Sequence, residues 1–252
     1  IFQKERPEIV NHHAAQMDVR RSTREPIFDA ENNIVASIGL IENCLKYKVK
    51  KIIYANTGGA LYGEIPKKDR PVDENYPIHP ICQYGISKHT VEDYLYAYHY
   101  NYGLKYTSLR YPNVFGPRQN PHGEAGVVAI FCGLMAQGKP PTIFGSGDQT
   151  RDYTFVADIV QANVLALEKG GPKGYNIGTG REVSVNEIFQ TIRQLLNLDM
   201  KPHYAPPRVG EIAGFSMTSD LARKELGWQP KYSFEEGLKI TLEWNKQKVK
   251  TK

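Results

Sequence analysis

A chain of 252 residues with 40% hydrophobic and 23% charged content can bury a sizeable core, as one large domain or a domain with a smaller companion, which excludes a disordered segment. The net charge of +5 is swollen by Lys246, Lys248, Lys250 and Lys252 at the C-terminus, so a solvated tail carries much of the excess and no nucleic-acid-binding face is expected. Cys44, Cys82 and Cys132 are scattered and lack metal-ligand spacing, which excludes a disulfide framework and predicts reduced thiols in a cytoplasmic protein.

The chain opens with a helix end from Ile1 to Arg6. Pro7 to Ala15 (PEIVNHHAA) then reads as a buried strand running into small residues, where backbone can approach a ligand. His12 and His13 are adjacent on that strand and point to opposite faces, which argues against a shared metal. Ile27 to Lys48 has helical period, with Ile34, Ile38, Ile41 and Leu45 on one face and the polar Asn33 near its start. A short β-branched strand from Lys51 to Ala55 opens into Asn56, Thr57, Gly58 and Gly59, at the end of a strand where open α/β sheets bind ligands. After a Pro-rich loop, a helix is predicted from Gln83 to about Tyr102 and a strand from Lys105 to Arg110. This alternation predicts an α/β fold with a Rossmann-like, doubly wound parallel sheet. Beyond Pro112 the turn-rich stretch YPNVFGPRQNPHGEAG and shorter elements predict a smaller mixed α/β lobe laid over the sheet's edge. Ala125 to Ala136, broken by Gly126 and Gly133, reads as a buried helix too short to span a bilayer, so no membrane partner is expected.

Within the 83–102 helix, Tyr84 and Lys88 are four residues apart and share a face. A free tyrosine ionises near pH 10, and an adjacent ammonium favours the phenolate, so the pair predicts a phenol brought down toward neutral pH for proton transfer. Alone, Tyr-x-x-x-Lys also fits an ordinary amphipathic helix whose Val91, Tyr94, Leu95, Tyr98 and Tyr102 are packing residues.

HHAAQ at 12–16, NTGGALYG at 56–63, YGISK at 84–88 and LRYPNVFGPRQ at 109–119 stand in that order, followed by IFGSGDQTRDYTFVADIV at 143–160, YNIGTG at 175–180 and PPRVGE at 206–211. Together they resemble the extended short-chain dehydrogenase/reductases, and among them the NAD-dependent UDP-glucose (UDP-galactose) 4-epimerases. The resemblance implies that Tyr84 is the general base and acid, and that Lys88 holds the nicotinamide ribose and lowers the tyrosine pKa. Ala14, Ala15, Asn33 and Tyr111 match positions lining NAD. Asn113 matches a diphosphate ligand beside the nicotinamide, Phe144 a residue packing on uracil, and Arg151 and Arg208 diphosphate ligands. Glu211 falls where an aspartate stands near the ribose, and Phe215 where bulk at the sugar's 2-position is gated. Residues 1–112 would form a partial NAD-binding domain. Residues 113–252 would mainly form the UDP-sugar-binding lobe, with some segments returning to the first domain. Without the resemblance, Arg151 and Asp152 read as a surface ion pair of little worth.

The implied reaction oxidises C4 of a bound UDP-hexose, lets the sugar turn while the nucleotide stays anchored, and reduces it from the other face. Two departures from the family pattern stand out. Gly58 occupies the place of a common Ser or Thr, so Thr57 is assigned the hydrogen-bonding hydroxyl, and the Gly-rich turn expected before HHAAQ does not occur in the sequence, which predicts that the sequence is a piece of a longer protein. Gly59 and Ala60 replace the acidic residues of related dehydratases, which favours epimerisation. The bulk of Phe215 favours unacetylated sugars. Alternatives are an epimerase of UDP-N-acetylhexosamines or another NAD-dependent nucleotide-sugar enzyme, and a non-catalytic UDP-sugar-binding protein. Tyrosines at 94, 96, 98, 100 and 102 cover more than one helix face, which predicts a homodimer built on this helix and the Ile34 to Leu45 helix.

Overall fold

The computed structural model describes residues 1–121, 126–208 and 212–250, with backbone alone for 248–250. A short helix α1 (Phe2–Glu5) leads into β1 (Ile9–His12), followed by α2 (Val19–Arg24), α3 (Pro26–Ala30) and α4 (Ala36–Lys46). Then come β2 (Lys51–Thr57), α5 (Gln83–Tyr102), β3 (Lys105–Tyr111) and β4 (Asn113–Phe115). The rest comprises α6 (Val127–Met135), β5 (Thr142–Phe144), β6 (Thr150–Phe155), α7 (Val156–Glu168), β7 (Gly174–Asn176), β8 (Glu182–Ser184), α8 (Val185–Leu196), β9 (His203–Ala205), α9 (Asp220–Leu226) and α10 (Phe234–Lys250).

The main sheet has the order β1-β2-β3-β7 with every pairing parallel. Alternate residues of β2 serve opposite faces, as strand geometry requires. Ile52 and Tyr54 pack with Ile41, Cys44, Val91, Leu95 and Tyr106 under α4 and α5, while Ile53 packs with Leu109, Ile159, Ala162 and Trp228 under α7 and α9. The expected α/β architecture is therefore present. A second sheet, β4-β6-β8, and the β5-β9 pair surround another core of Phe115, Phe131, Phe155, Phe189 and Phe234. Among the described residues, no helix is long and apolar enough to cross a membrane.

The helix expected at 27–48 runs from Pro26 to Lys46, but its hydrogen-bond period changes within that run. A π-helical turn at Glu31–Val35 separates α3 from α4, and the buried positions are Asp29, Asn33, Ser37, Ile41 and Cys44. Of the apolar stripe expected there, Ile41 is buried, while Ile34, Ile38 and Leu45 are half-buried. Polar side chains take the inward line because they bind the loop after β1. Helix α5 has the expected limits and ends where Gly103 adopts φ +70° and its N–H bonds the carbonyl of His99, the left-handed stop that glycine makes without strain. The strands expected at 51–55 and 105–110 run on to Thr57 and Tyr111.

Candidate active site

Parallel strands carry their ends to one side of the sheet, and there Thr57 of β2 is the register partner of Tyr111 of β3. The Gly58 N–H donates to the Tyr111 carbonyl at 2.7 Å, locking the two ends together. The first turn of α5 lies directly on the loop that follows β2: a Cβ on Gly85 would stand 2.3 Å from the carbonyl oxygen of Ala60. That close approach brings Tyr84, Lys88, Thr57, Tyr111 and Ala15 around one cleft of about 610 Å³.

Tyr84 is fixed through its backbone. Its N–H donates to Ser22 Oγ of α2 at 3.1 Å, and its carbonyl accepts from Ser87 Oγ at 3.0 Å. Burial pushes its phenol up to about 12, with Cys82 and Asp29 adding to the effect. Desolvation dominates, the reverse of the lowered phenol expected from sequence. Lys88 is 3% exposed. Burial brings its ammonium down to about 7 against the opposing pull of Asp29, and its Nζ lies 4.1 Å from the centre of the Tyr54 ring. His12 is buried beside them, its Nε2 3.0 Å from Ser37 Oγ, and desolvation, then Lys88, lowers it to about 4, so it is neutral.

Thr57 lines the cleft, and its Oγ1 accepts from the Ala60 N–H at 3.3 Å. Gly58 does not face the cleft: a Cβ there would meet Met217 Sδ at 2.4 Å, inside the core of Leu61, Tyr62 and Val72. Tyr111 Oη accepts from Asn163 Nδ2 at 2.8 Å and its ring stacks on His13 at 6.2 Å. His12 and His13 therefore face different partners, as the strand geometry implied. Ala14 and Ala15 line an adjoining cavity of about 800 Å³ beyond β1. Asn33 is buried behind that cavity: its Nδ2 donates to the Gln16 carbonyl at 2.9 Å and its Oδ1 accepts from the Gln16 N–H at 2.7 Å. It shapes the loop rather than lining the space.

On the other side, Asn113 lines a cavity of about 270 Å³ together with Tyr84, Thr57, Gly59 and Ala60, and no carboxylate lines it among the described residues. Phe144 and Arg208 meet in a further cavity of about 240 Å³, the guanidinium 3.9 Å from the ring centre. Arg151 is not gathered with them: its Nη1 donates to the carbonyls of Thr150 at 2.7 Å and Ile212 at 2.9 Å. Asp152 corrects the surface ion-pair reading. It is fully buried and accepts from Thr179 Oγ1 at 2.6 Å and the Gly180 N–H at 2.9 Å, and burial raises it to about 6 against those bonds. Phe215 is another correction, being fully buried and stacked on Tyr62 at 6.5 Å, so it presents no surface to a sugar and gives no ground for preferring unacetylated substrates. Glu211 lies outside the described residues.

Met17 and Gln119 line three of these cavities and were not singled out by sequence. Gln119 stands within the motif LRYPNVFGPRQ, where a polar side chain amid turn formers was the available signal. Its Nε2 donates to the Val114 carbonyl at 3.0 Å. Ser22 and Asp29 were also missed, because their contact with the site is made only by folding.

A doubly wound sheet with a cleft at the carboxyl ends of its strands belongs to the nucleotide-binding α/β class. The chain is a member of the NAD dependent epimerase/dehydratase family, whose model matches residues 1–178. Its structure is similar to that of a UDP-glucose 4-epimerase from Thermotoga maritima solved with UDP-glucose, at 49% identity and a TM-score of 0.96, over 98% of this chain and 80% of that one. A Thermus thermophilus UDP-glucose 4-epimerase in complex with NAD matches at 39% identity and a TM-score of 0.90, over 97% and 79%. In sequence the chain is 40% identical to the UDP-glucose 4-epimerase of Mycolicibacterium smegmatis over 247 residues, which are 96% of this chain and 77% of that protein.

Proposed function

We propose that the protein interconverts UDP-glucose and UDP-galactose with NAD, in galactose metabolism. The observation that carries the reading is the convergence of Tyr84, Thr57 and Asn113 on a cavity free of carboxylates among its described residues. A related dehydratase would need an acid there to expel water from the sugar, whereas reversible oxidation at C4 needs only a group that moves one proton.

The residues present fit NAD. Ala14 and Ala15 leave backbone accessible along the 800 Å³ cavity, and Lys88 offers an ammonium to ribose hydroxyls with no carboxylate bound to it among the described residues. NAD, when bound, supplies a reversible two-electron oxidation of a secondary alcohol. Tyr84 takes the proton of the sugar's 4-hydroxyl and returns it to the same oxygen once the ring has turned, with the Thr57 hydroxyl sharing that oxygen. Lys88 and Tyr111 hold the nicotinamide end, and Asn33 acts indirectly by fixing the Gln16 loop. Phe144 packs on uracil, while Arg208 and Asn113 hold the diphosphate, the guanidinium fork suiting paired phosphate oxygens. Firm contacts to the nucleotide and few to the hexose leave the sugar free to turn. On this reading residues 1–112 mainly serve the cofactor and 113–252 the UDP-sugar.

The protein is further read as a cytoplasmic homodimer. Val35, Tyr96, Tyr100 and Tyr102 are 62%, 58%, 78% and 62% exposed on α5 and the adjacent π turn, and Tyr98 bonds Glu42 to tie α5 to α4 into one surface. A monomeric mass by light scattering would overturn the dimer.

The test is conversion of UDP-galactose to UDP-glucose, run beside UDP-N-acetylgalactosamine and dTDP-glucose. Tyr84→Phe should slow turnover by about 10²- to 10⁴-fold, the usual contribution of a positioned acid and base, with the unfolding midpoint preserved. Faster turnover of the acetylated sugar, or loss of water from dTDP-glucose, would replace the proposal.

A further inference from the structure

A lysine with 3% exposure ordinarily needs a carboxylate, because an unpaired ammonium removed from water is costly. Lys88 has no ion-pair partner among the described residues, and Asp29 acts on it only at longer range. What stands against its head is the face of the Tyr54 ring, 4.1 Å from Nζ to the ring centre. Tyr54 sits in the middle of β2, three residues before Thr57, and is 1% exposed. Its hydroxyl is buried and has no hydrogen-bond partner among the described residues. The ring of the neutral His12, register partner of Tyr54 on β1, lies beside it, 5.8 Å between centres and tilted by 35°.

We infer that Tyr54 is a positioning residue for Lys88: its ring face holds the ammonium in the cleft where a buried lysine would otherwise require a carboxylate. The aromatic quadrupole attracts a cation, and the attraction grows when water is excluded. A carboxylate in that place would engage the ammonium in strong hydrogen bonds, whereas a ring face leaves N–H donors available to hydroxyl oxygens of a bound ligand. The orphaned hydroxyl assigns the task to the ring rather than to a hydrogen bond. Other titratable groups around the pair are His12 on β1, Asp29 on α3, and Tyr84 and Glu92 on α5. None of these supplies the ring contact.

The experiment replaces Tyr54 by phenylalanine and then by mono-, di- and trifluorinated phenylalanine at the same position, which preserves shape while draining the ring of negative charge. The Lys88 pKa is read by competitive amine acetylation and mass spectrometry on the protein as purified. Tyr54→Phe should leave the Lys88 pKa within a few tenths of the parent and raise the unfolding midpoint, since the unpartnered hydroxyl is gone. Fluorination should then lower the Lys88 pKa stepwise, by about one unit across the series. A Lys88 pKa that does not change along the series would overturn the inference, as would a Tyr54→Phe protein in which Lys88 already titrates a unit away. The titration stands without the epimerase reading. Only a second readout, a parallel displacement of the alkaline limb of kcat/KM with UDP-galactose toward lower pH, rests on it. Failure of turnover would sink the epimerase reading and leave the titration to decide on Tyr54.

Discussion

Lys88 and Glu92 lie one turn apart on α5, both buried, and their surroundings are opposite. The Glu92 carboxylate is saturated: it accepts from the Arg110 guanidinium and from Asn56 Nδ2 at 2.7 Å and Ser108 Oγ at 2.5 Å. Arg110 passes the network on to Tyr62 Oη at 2.9 Å, which donates to Asn176 Oδ1 at 2.8 Å. Burial alone would raise Glu92, but Arg110 and these bonds outweigh it and hold the carboxyl below its ordinary range. Lys88 has an aromatic face and little else. Saturated donors and acceptors pin α5, β2, β3 and β7 together, while the unsaturated ammonium keeps its capacity for a ligand. One helix thus supplies a rivet and a tool.

The contrast is broken most forcefully from the structural side. Glu92→Ala leaves Arg110 charged, buried and unpaired, and should lower the unfolding free energy by about 3–5 kcal/mol, read as a fall in the guanidinium midpoint. Loss of turnover without that fall would place Glu92 in the chemistry and erase the distinction.

Lys88 is tested through pH. Its folded pKa, about 7, lies below the unfolded value near 10.5, so between those limits the unfolded chain binds more protons and stability rises with pH. Below 7 both states are protonated and the full cost of burying the ammonium is present. Lys88→Met should therefore be more stable than the parent at pH 6 by a few kcal/mol, and the advantage should shrink as pH climbs from 7 toward 10. Glu92 has the opposite window: its contribution is present above the unfolded carboxylate pKa and is lost as pH falls through the depressed folded value. Parallel pH profiles of Lys88→Met and the parent would show that Lys88 is better solvated than its burial implies.

The smallest effect extends the contrast to packing. Gly58→Ala pushes a methyl group against Met217 and should cost about 1–3 kcal/mol as overpacking, with UDP-galactose turnover nearly unchanged because the new atom faces the core. A large drop in turnover with no loss of stability would relocate Gly58 to the reacting side.

The skeleton of this arrangement was legible wherever a local rule governs. Helix α5 and its glycine stop, the β-branched β2 and the opposite orientation of His12 and His13 follow from period and backbone preference alone. The gathering of Tyr84, Lys88, Thr57 and Tyr111 follows from parallel strands ending on one side. Properties set by distant partners were not legible. The π turn and the inward polar line exist because Asn33 and Asp29 must reach Gln16. Asp152 looked like half of a surface pair because its acceptors' donors, Thr179 and Gly180, lie far along the chain. Phe215 was drawn toward the sugar by the resemblance, yet its own neighbourhood of Tyr62, Leu61 and Met217 encloses it. The upward displacement of Tyr84 reflects solvent exclusion, which no spacing of residues encodes.

Gly85 has a consequence reaching beyond its own turn. The helix that bears the phenol rests on the Ala60 carbonyl with no room for even one methyl group, so the interval between Tyr84 and Thr57 is machined by a missing atom. A bearing with zero clearance cannot be shimmed: any side chain at 85 would lift Tyr84, the residue proposed to move the proton, away from Thr57 while leaving both side chains intact. The tolerance of the site is written in a residue that never touches its chemistry.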